Sequence, residues 1–486
     1  MAQAADEIRQ IVEQVLKSAD IAALLGRTEA GAAIASTAQN PPPAMGCGVF
    51  SDVNSAVNAA AAAQRELIAL PLDTRTRMIE AMRRAVLSNN DWLSSEAVGE
   101  TGLGNVRDKQ VKNSLAAEKT PGVEDVQPSA FSDEHGLTLT ERAPYGVIGA
   151  ITPVTNPIST ITSNSIGMIA AGNSVVFNVH PNAKRVSNRL VVLLNLAIRG
   201  EGGPQNLLCA VADPTIESAG ALMKHPGVSI LVVTGGPGVV KAAMGSGKKA
   251  ICAGPGNPPC VVDPTADIVK AGRDIVAGAS FDNNVVCICE KEVLAVEGIA
   301  DRLKQEMRAN GAFELSGPQV DAVTRLVIPS PKGPRMESAP NKDMVGKEAA
   351  FIARAAGIEV PALTRLLLME VDRDHPLVWS EQLMPVLPLV RMRSVDEAID
   401  LAVAVEHGFR HTAMIHSHDI EKLSRMAKVM NCSLFVKNGP CYAGLGQGGA
   451  GFTSFTIASP TGEGLTRART FTRERRCTLV DYFRII

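Results

Sequence analysis

Aromatic residues are scarce, at 3% of the 486-residue chain, so its apolar content of 45% rests mainly on Ala, Val, Ile and Leu. These occur in short blocks separated by Gly and Pro, the texture of buried strands alternating with Ala-rich helices. A surplus of either charge is also missing. The formal net charge is −2 with acids and bases interspersed, which argues against a nucleic-acid groove or an anionic membrane surface as partner. No apolar run is long enough to cross a bilayer before a charge, Gly or Pro interrupts it. The start, MAQAADEIRQIVEQVLK, lacks the continuous apolar segment of a secretory signal, so the chain reads as soluble and not exported. Its nine cysteines are odd in number and scattered, which in a non-exported chain predicts reduced thiols, one of them available as a nucleophile.

The length suits two intimately packed domains better than one simple core. At the start, Ile8, Ile11, Val12, Val15 and Leu16 follow helical spacing, with Asp6, Glu7, Arg9, Glu13 and Lys17 on other faces. The stretch from Gly26 to Met45 is small and Pro-rich, ending in Asn40-Pro41-Pro42-Pro43, and reads as a linker. An apolar stripe tethered this way buries itself either on its own domain or a sister subunit, or on another protein. Helical stretches at 53–67 and 74–87 and a charged segment at 100–119 form a lead-in. Strands are predicted at 145–151, 174–179, 207–211 and 229–233, and helices at 161–171, 183–199, 216–224 and from Val239. That alternation implies a parallel, doubly wound α/β sheet. A β-rich tail, Cys477 to Ile486, closes the chain.

Several segments carry chemistry. The strand ending at Val233 runs into Thr234-Gly235-Gly236-Pro237-Gly238, where glycines before a helix let backbone N–H groups face an anion; a plain tight turn reads equally well. Thr152-Pro153-Val154-Thr155-Asn156-Pro157 lies between a strand and a helix, where open α/β sheets place ligands. Asn156 is there either as an oxyanion donor or as a turn-forming Asn before Pro. Cys287, beyond the polar Asp282-Asn283-Asn284, suits a nucleophile, while the structural-thiol reading fits Cys209, Cys252, Cys260 and Cys289 equally. No second Cys or His pair stands at metal-ligand spacing, and Gly408 weakens a helical pairing of His407 with His411, so no metal site is predicted.

Taken together, these segments occur with Ala253-Gly254-Pro255-Gly256-Asn257-Pro258-Pro259 and Ser380-Glu381-Gln382-Leu383-Met384-Pro385-Val386 in the order and spacing of the aldehyde dehydrogenase superfamily. The resemblance runs from Val49 to Ile486. It is strongest to the CoA-acylating propionaldehyde and acetaldehyde dehydrogenases of bacterial microcompartments, through Phe281-Asp282-Asn283, Val436-Lys437-Asn438-Gly439-Pro440-Cys441 and Pro460-Thr461-Gly462-Glu463-Gly464. The resemblance implies Cys287 as nucleophile and Asn156 as oxyanion donor. It places Thr152, Pro153, His180, Thr234, Gly235, Gly236 and Glu381 toward an NAD cofactor, with Glu381 on the nicotinamide ribose. Thr155, Val286 and Ile288 are assigned to the substrate. Ala253 stands where hydrolytic relatives have the Glu that activates water, and His180 where they usually have a Lys. Without a base, water attacks poorly, whereas the CoA thiol, with a pKa of roughly 8.5, supplies some thiolate unaided.

The implied reaction converts a short aliphatic aldehyde, propionaldehyde first and acetaldehyde next, with NAD and CoA to acyl-CoA and NADH. A hydrolytic aldehyde dehydrogenase, a non-redox CoA acyltransferase and an inactive shell component are the rivals. The resemblance also implies an aldehyde dehydrogenase fold with an encapsulation helix at 1–19, a linker at 20–45 and a cofactor domain at 46–125 and 144–251. A catalytic domain at 252–445, a return segment at 446–469 and an oligomerisation arm at 126–143 and 470–486 complete it. A homodimer or homotetramer, overlapping NAD and CoA sites, and a cytoplasmic location inside a microcompartment follow, the helix docking on a shell protein. Cys289, two residues from the nucleophile, and Ala450, where near relatives usually have Glu, depart from the pattern.

Overall fold

A computed structural model describes residues 47–486. The amphipathic helix and linker expected at 1–45 lie outside the described residues. Among the described residues no helix is long and apolar enough to cross a membrane. Contacts divide the chain into two compact units, one formed by the residues up to 100 with 120–231 and 467–486, the other by 101–119 and 232–466.

In the first unit, Val147–Ile151, Ser174–Asn178 and Leu208–Val211 pair in parallel, and the short Val49–Phe50 adds beside Leu208–Val211. Their sequences, VIGAI, SVVFN and LCAV, are buried throughout, as parallel strands covered on both faces must be. Within this unit the strand order is Val49–Phe50, Leu208–Val211, Ser174–Asn178, Val147–Ile151. Helices Val53–Ala69, Leu72–Ser88, Pro157–Ala170 and Lys184–Gly200 accompany it. The helix expected from Ile161 begins earlier, at Pro157, because proline is tolerated in a first turn that needs no donor.

The second unit holds a seven-stranded sheet in the order Ala312–Glu314, Leu366–Glu370, Val386–Met392, Glu292–Val296, Pro259–Val262, Thr412–His416, Leu434–Lys437. Every adjacent pair is parallel. Strand alternation sorts its core. Cys260, Val262, Val293 and Ala295 pack with helix Ile268–Ala279, while Val261 and Leu294 pack with helix Val395–Val405.

A third, antiparallel sheet joins Thr472–Val480 to Gly136–Pro144 and that strand to Ser129–Asp133. Gly136 is required there: at φ +129 a Cβ would lie 2.0 Å from the Leu479 carbonyl. Strand Thr472–Val480 thus starts before the tail read at Cys477.

The compact units differ from the expected domains in three places, the first being that the segment expected to return to the cofactor domain groups, over 446–466, with the second unit. Residues 232–251 group with the second unit, where the Cys252 N–H donates to Thr461 Oγ1 at 3.0 Å and Thr234 and Thr456 hydroxyls meet at 2.9 Å. Residues 101–119 join it as well, because the buried Lys109 and Lys112 pair with Asp282. Neither long-range tie has a local sequence signal.

Candidate active site

The nucleophile segment is built on a run of unusual backbone. Helix Ile268–Ala279 starts on Asp267, which accepts from the Lys270 N–H, and it stops at Ser280. Asp282, Asn283 and Asn284 then take φ of 48, 53 and 63° in succession, the left-handed region that Asp and Asn tolerate better than other side chains. Each has a tether. Asp282 accepts from Lys109 Nζ at 3.0 Å, from Lys112 Nζ and from the Asn105 N–H. Asn283 donates to the Gly346 carbonyl at 3.0 Å. Asn284 donates to the carbonyls of Ala279 at 2.7 Å and Glu290 at 3.0 Å, while its own carbonyl accepts from Lys291 Nζ at 3.1 Å. Lys291 also reaches the Asn284 side-chain oxygen, so residues 284–291 form a closed loop with Cys287 in its middle.

Cys287 is partly buried, whereas Val286, Ile288 and Cys289 are packed into the core with Leu115, Val293 and Phe455. The alternation presents one thiol and anchors its neighbours. Burial pushes the Cys287 thiol up, to about 12, and the Glu381 carboxylate adds to this while the Lys291 ammonium opposes it. Glu381 accepts from the Gly256 N–H at 3.4 Å. Its own pKa is raised by burial to about 7, with Lys291 again opposing.

Gly256 has no room for a side chain, since a Cβ would lie 2.9 Å from both the Cys287 carbonyl and the His411 ring. His411 is therefore next to the nucleophile segment, a placement its spacing from His407 did not suggest. It is buried, and its Nε2 has no hydrogen-bond partner among the described residues; Nδ1 meets Thr412 Oγ1 at 2.8 Å. Burial lowers its pKa to about 4, so the ring is neutral. His407 goes elsewhere, to the Trp379 carbonyl at 2.9 Å. Among the described residues no group of His, Cys, Asp and Glu is arranged to hold a metal.

The glycine turn and Ala253 come together in the same unit, the Gly235 N–H donating to the Ala253 carbonyl at 3.2 Å. Gly236 caps helix Pro237–Met244, and a Cβ on Gly236 or Gly238 would meet only open space. Open N–H groups at a helix start suit a pyrophosphate, and a partly buried carboxylate with one N–H contact, as at Glu381, suits vicinal hydroxyls. These residues fit a dinucleotide. Ala253 is buried and brings no base to its position.

In the first unit, Asn156 occupies the N-cap position of helix Pro157–Ala170, yet its side chain makes no cap hydrogen bond. Its Nδ2 donates instead to Thr155 Oγ1 at 3.1 Å. Thr152 is buried with its hydroxyl unpartnered among the described residues, and Pro153 is partly buried beside it. The His180 ring accepts from the Asn182 N–H at 3.2 Å, and burial lowers its pKa.

Comparison with known proteins agrees with this chemistry. The aldehyde dehydrogenase family model matches residues 48–455. An acetylating acetaldehyde dehydrogenase of Bilophila wadsworthia is 51% identical over 445 residues, 90% of this chain and 91% of that one. A Rhodopseudomonas palustris propionaldehyde dehydrogenase, solved with bound CoA and an acylated cysteine, is 51% identical with a TM-score of 0.86, covering 89% of this chain and 98% of that one. A propionaldehyde dehydrogenase from the fucose utilisation microcompartment of Clostridium phytofermentans is 47% identical with a TM-score of 0.88, covering 90% of this chain and all (100%) of that one. With the motifs, the fold and these likenesses in accord, the chain belongs to the aldehyde dehydrogenase family.

Proposed function

We propose that this chain is a CoA-acylating aldehyde dehydrogenase that oxidises a short aliphatic aldehyde with NAD and passes the acyl group from Cys287 to coenzyme A. The observation that carries the reading is the pairing of a presented thiol at Cys287 with a methyl group at Ala253, where hydrolytic relatives hold their water-activating Glu. Cys287 thiolate adds to the aldehyde carbonyl, and the Asn156 amide stabilises the resulting oxyanion, a contribution of about 3 kcal/mol for one such donor. NAD, when bound, supplies the hydride acceptor; Gly235 and Gly236 hold its pyrophosphate side, and Glu381 its nicotinamide ribose. Thr152, Pro153, Thr234 and His180 complete that assignment, and Thr155 shapes the substrate side, while Val286 and Ile288, assigned there by the resemblance, are packed into the core and serve it only by anchoring Cys287. Loss of hydride from the adduct leaves a Cys287 thioester. Attack by the CoA thiol then expels the cysteine thiolate and yields acyl-CoA.

The relatives' substrates support propionaldehyde first and acetaldehyde next. One methylene is worth only about 1–3 kcal/mol in a pocket, so both enter the assay. Residues 1–19 are assigned as an encapsulation helix for a microcompartment shell, in keeping with the source of a close relative. The sheet formed by Ser129–Asp133, Gly136–Pro144 and Thr472–Val480 is assigned to a homodimer or homotetramer contact, with Phe131, Val480 and the nearby Phe483 exposed.

The test is NADH formation from each aldehyde with and without CoA, with products identified by mass. CoA-dependent turnover yielding acyl-CoA is expected. Catalytic NADH formation without CoA, yielding the free acid, favours a hydrolytic enzyme; acyl transfer without NADH favours the acyltransferase reading.

A further inference from the structure

Lys291 is among the largest fully buried side chains, yet no carboxylate forms an ion pair with it among the described residues. Its ammonium donates to two neutral oxygens, the carbonyl and the side-chain amide of Asn284. An ammonium taken out of water without a counter-ion carries a desolvation cost of several kcal/mol. A neutral donor would close the same loop at less cost. The charge therefore calls for a purpose beyond the hydrogen bonds.

The nearby carboxylates do not reach it as ion-pair partners among the described residues. Glu290 and Glu292 flank it in sequence, but both Glu292 oxygens and Glu290 Oε2 are buried without hydrogen-bond partners among the described residues. Glu290 Oε1 accepts from the Cys441 N–H at 2.9 Å. Burial raises Glu290 to about 7 and Glu292 well above the usual carboxylate range. Two further ionisable groups touch the same neighbourhood. Glu381 is raised to about 7 and the imidazole of His411 is neutral. Cys287 lies at the centre of the segment that Lys291 and Asn284 close.

We propose that Lys291 is a positioning residue whose buried ammonium, held by Asn284 and not by a carboxylate, stabilises the thiolate of Cys287, in addition to closing the 284–291 loop. The proposal rests on the reading above only in taking Cys287 as the nucleophile. Because its readout needs neither aldehyde, NAD nor CoA, its failure is distinguishable from failure of the dehydrogenase assignment.

The experiment is the rate of Cys287 alkylation by iodoacetamide in the full chain between pH 6 and 10, followed by mass of the Cys287 peptide. Lys291→Met removes both charge and donor, Lys291→Gln keeps a donor for Asn284 without charge, and Lys291→Arg keeps the charge. Each unit by which a thiol pKa rises lowers the thiolate population about tenfold below that pKa. Alkylation at pH 8 is expected to slow about tenfold or more in Lys291→Met and Lys291→Gln, with the rate recovering at higher pH, and to stay near the parent rate in Lys291→Arg. Should Lys291→Met fail to fold by circular dichroism, Lys291→Gln decides. A folded Lys291→Gln protein with the parent's pH–rate profile means that only the hydrogen bond mattered, and overturns the proposal.

Discussion

At the scale of single residues, Ala253 and Gly256 stand out by what they omit. The methyl of Ala253 leaves no carboxylate to activate water, and its carbonyl is committed to Gly235. Ala253→Glu is expected to raise CoA-independent NADH formation by about tenfold or more, below the full 10²–10⁴ of a well-placed general base. The free acid should appear by mass; unchanged CoA dependence would mean that Ala253 does not set the acyl acceptor. Gly256 omits a side chain because the Cys287 carbonyl and His411 both stand 2.9 Å from where its Cβ would be. Gly256→Ala should cost about 1–3 kcal/mol of overpacking. The measurement is kcat/KM with the melting temperature, and a drop in activity is expected even when the melting temperature changes little. Cys287 and Ala253 were legible because a family pattern frames them. His411 was not, since adjacency to Gly256 is created by neighbouring parallel strands, Pro259–Val262 and Thr412–His416, far apart in sequence.

At the scale of elements, the three left-handed residues before Cys287 depend on a buried cluster supplied by helix Val106–Lys119. Asp282→Ala leaves Lys109 and Lys112 without their carboxylate. A loss of about 3–5 kcal/mol is expected, read as a lower denaturant midpoint at unchanged slope. Glu290 gives a pH signature. Burial raises its folded pKa to about 7, against about 4.3 for an unfolded Glu. Between those values the folded chain binds more protons than the unfolded one, so this group makes stability fall as pH rises from about 4.3 through 7. Glu381 acts in the same direction. Glu290→Gln should flatten the decline in melting temperature between pH 5 and 8; an unchanged slope would assign the decline to other groups. Element positions followed the sequence closely where local rules act. Helix Ile216–Lys224 and strand Ser174–Asn178 fall where period and composition put them. The charged 100–119 segment gave no hint that two of its lysines are buried, because a Lys reads as a surface residue until its partner is known.

At the scale of the whole molecule, the Pro-rich stretch ending at Pro43 precedes the matched family region, which begins at residue 48. Deleting residues 1–45 should leave NADH formation within about twofold, by the rule that segments outside a core tolerate removal, and should release the protein from purified shells. Retention in shells would sink the encapsulation assignment. The sequence by itself determined the alternation of parallel strands and helices and the family, and it supplied the motifs on which the nucleophile and missing-base assignments rest. Each of these is written in local period, composition or motif order, which a chain carries before it folds. Only the tertiary structure decided which thiol is presented and which are core, that Val286 and Ile288 are buried anchors, and where the compact units divide. It also decided that Lys291 is a buried charge without a carboxylate. Burial and pairing depend on groups brought from distant parts of the chain, and those encounters leave no period or spacing to read.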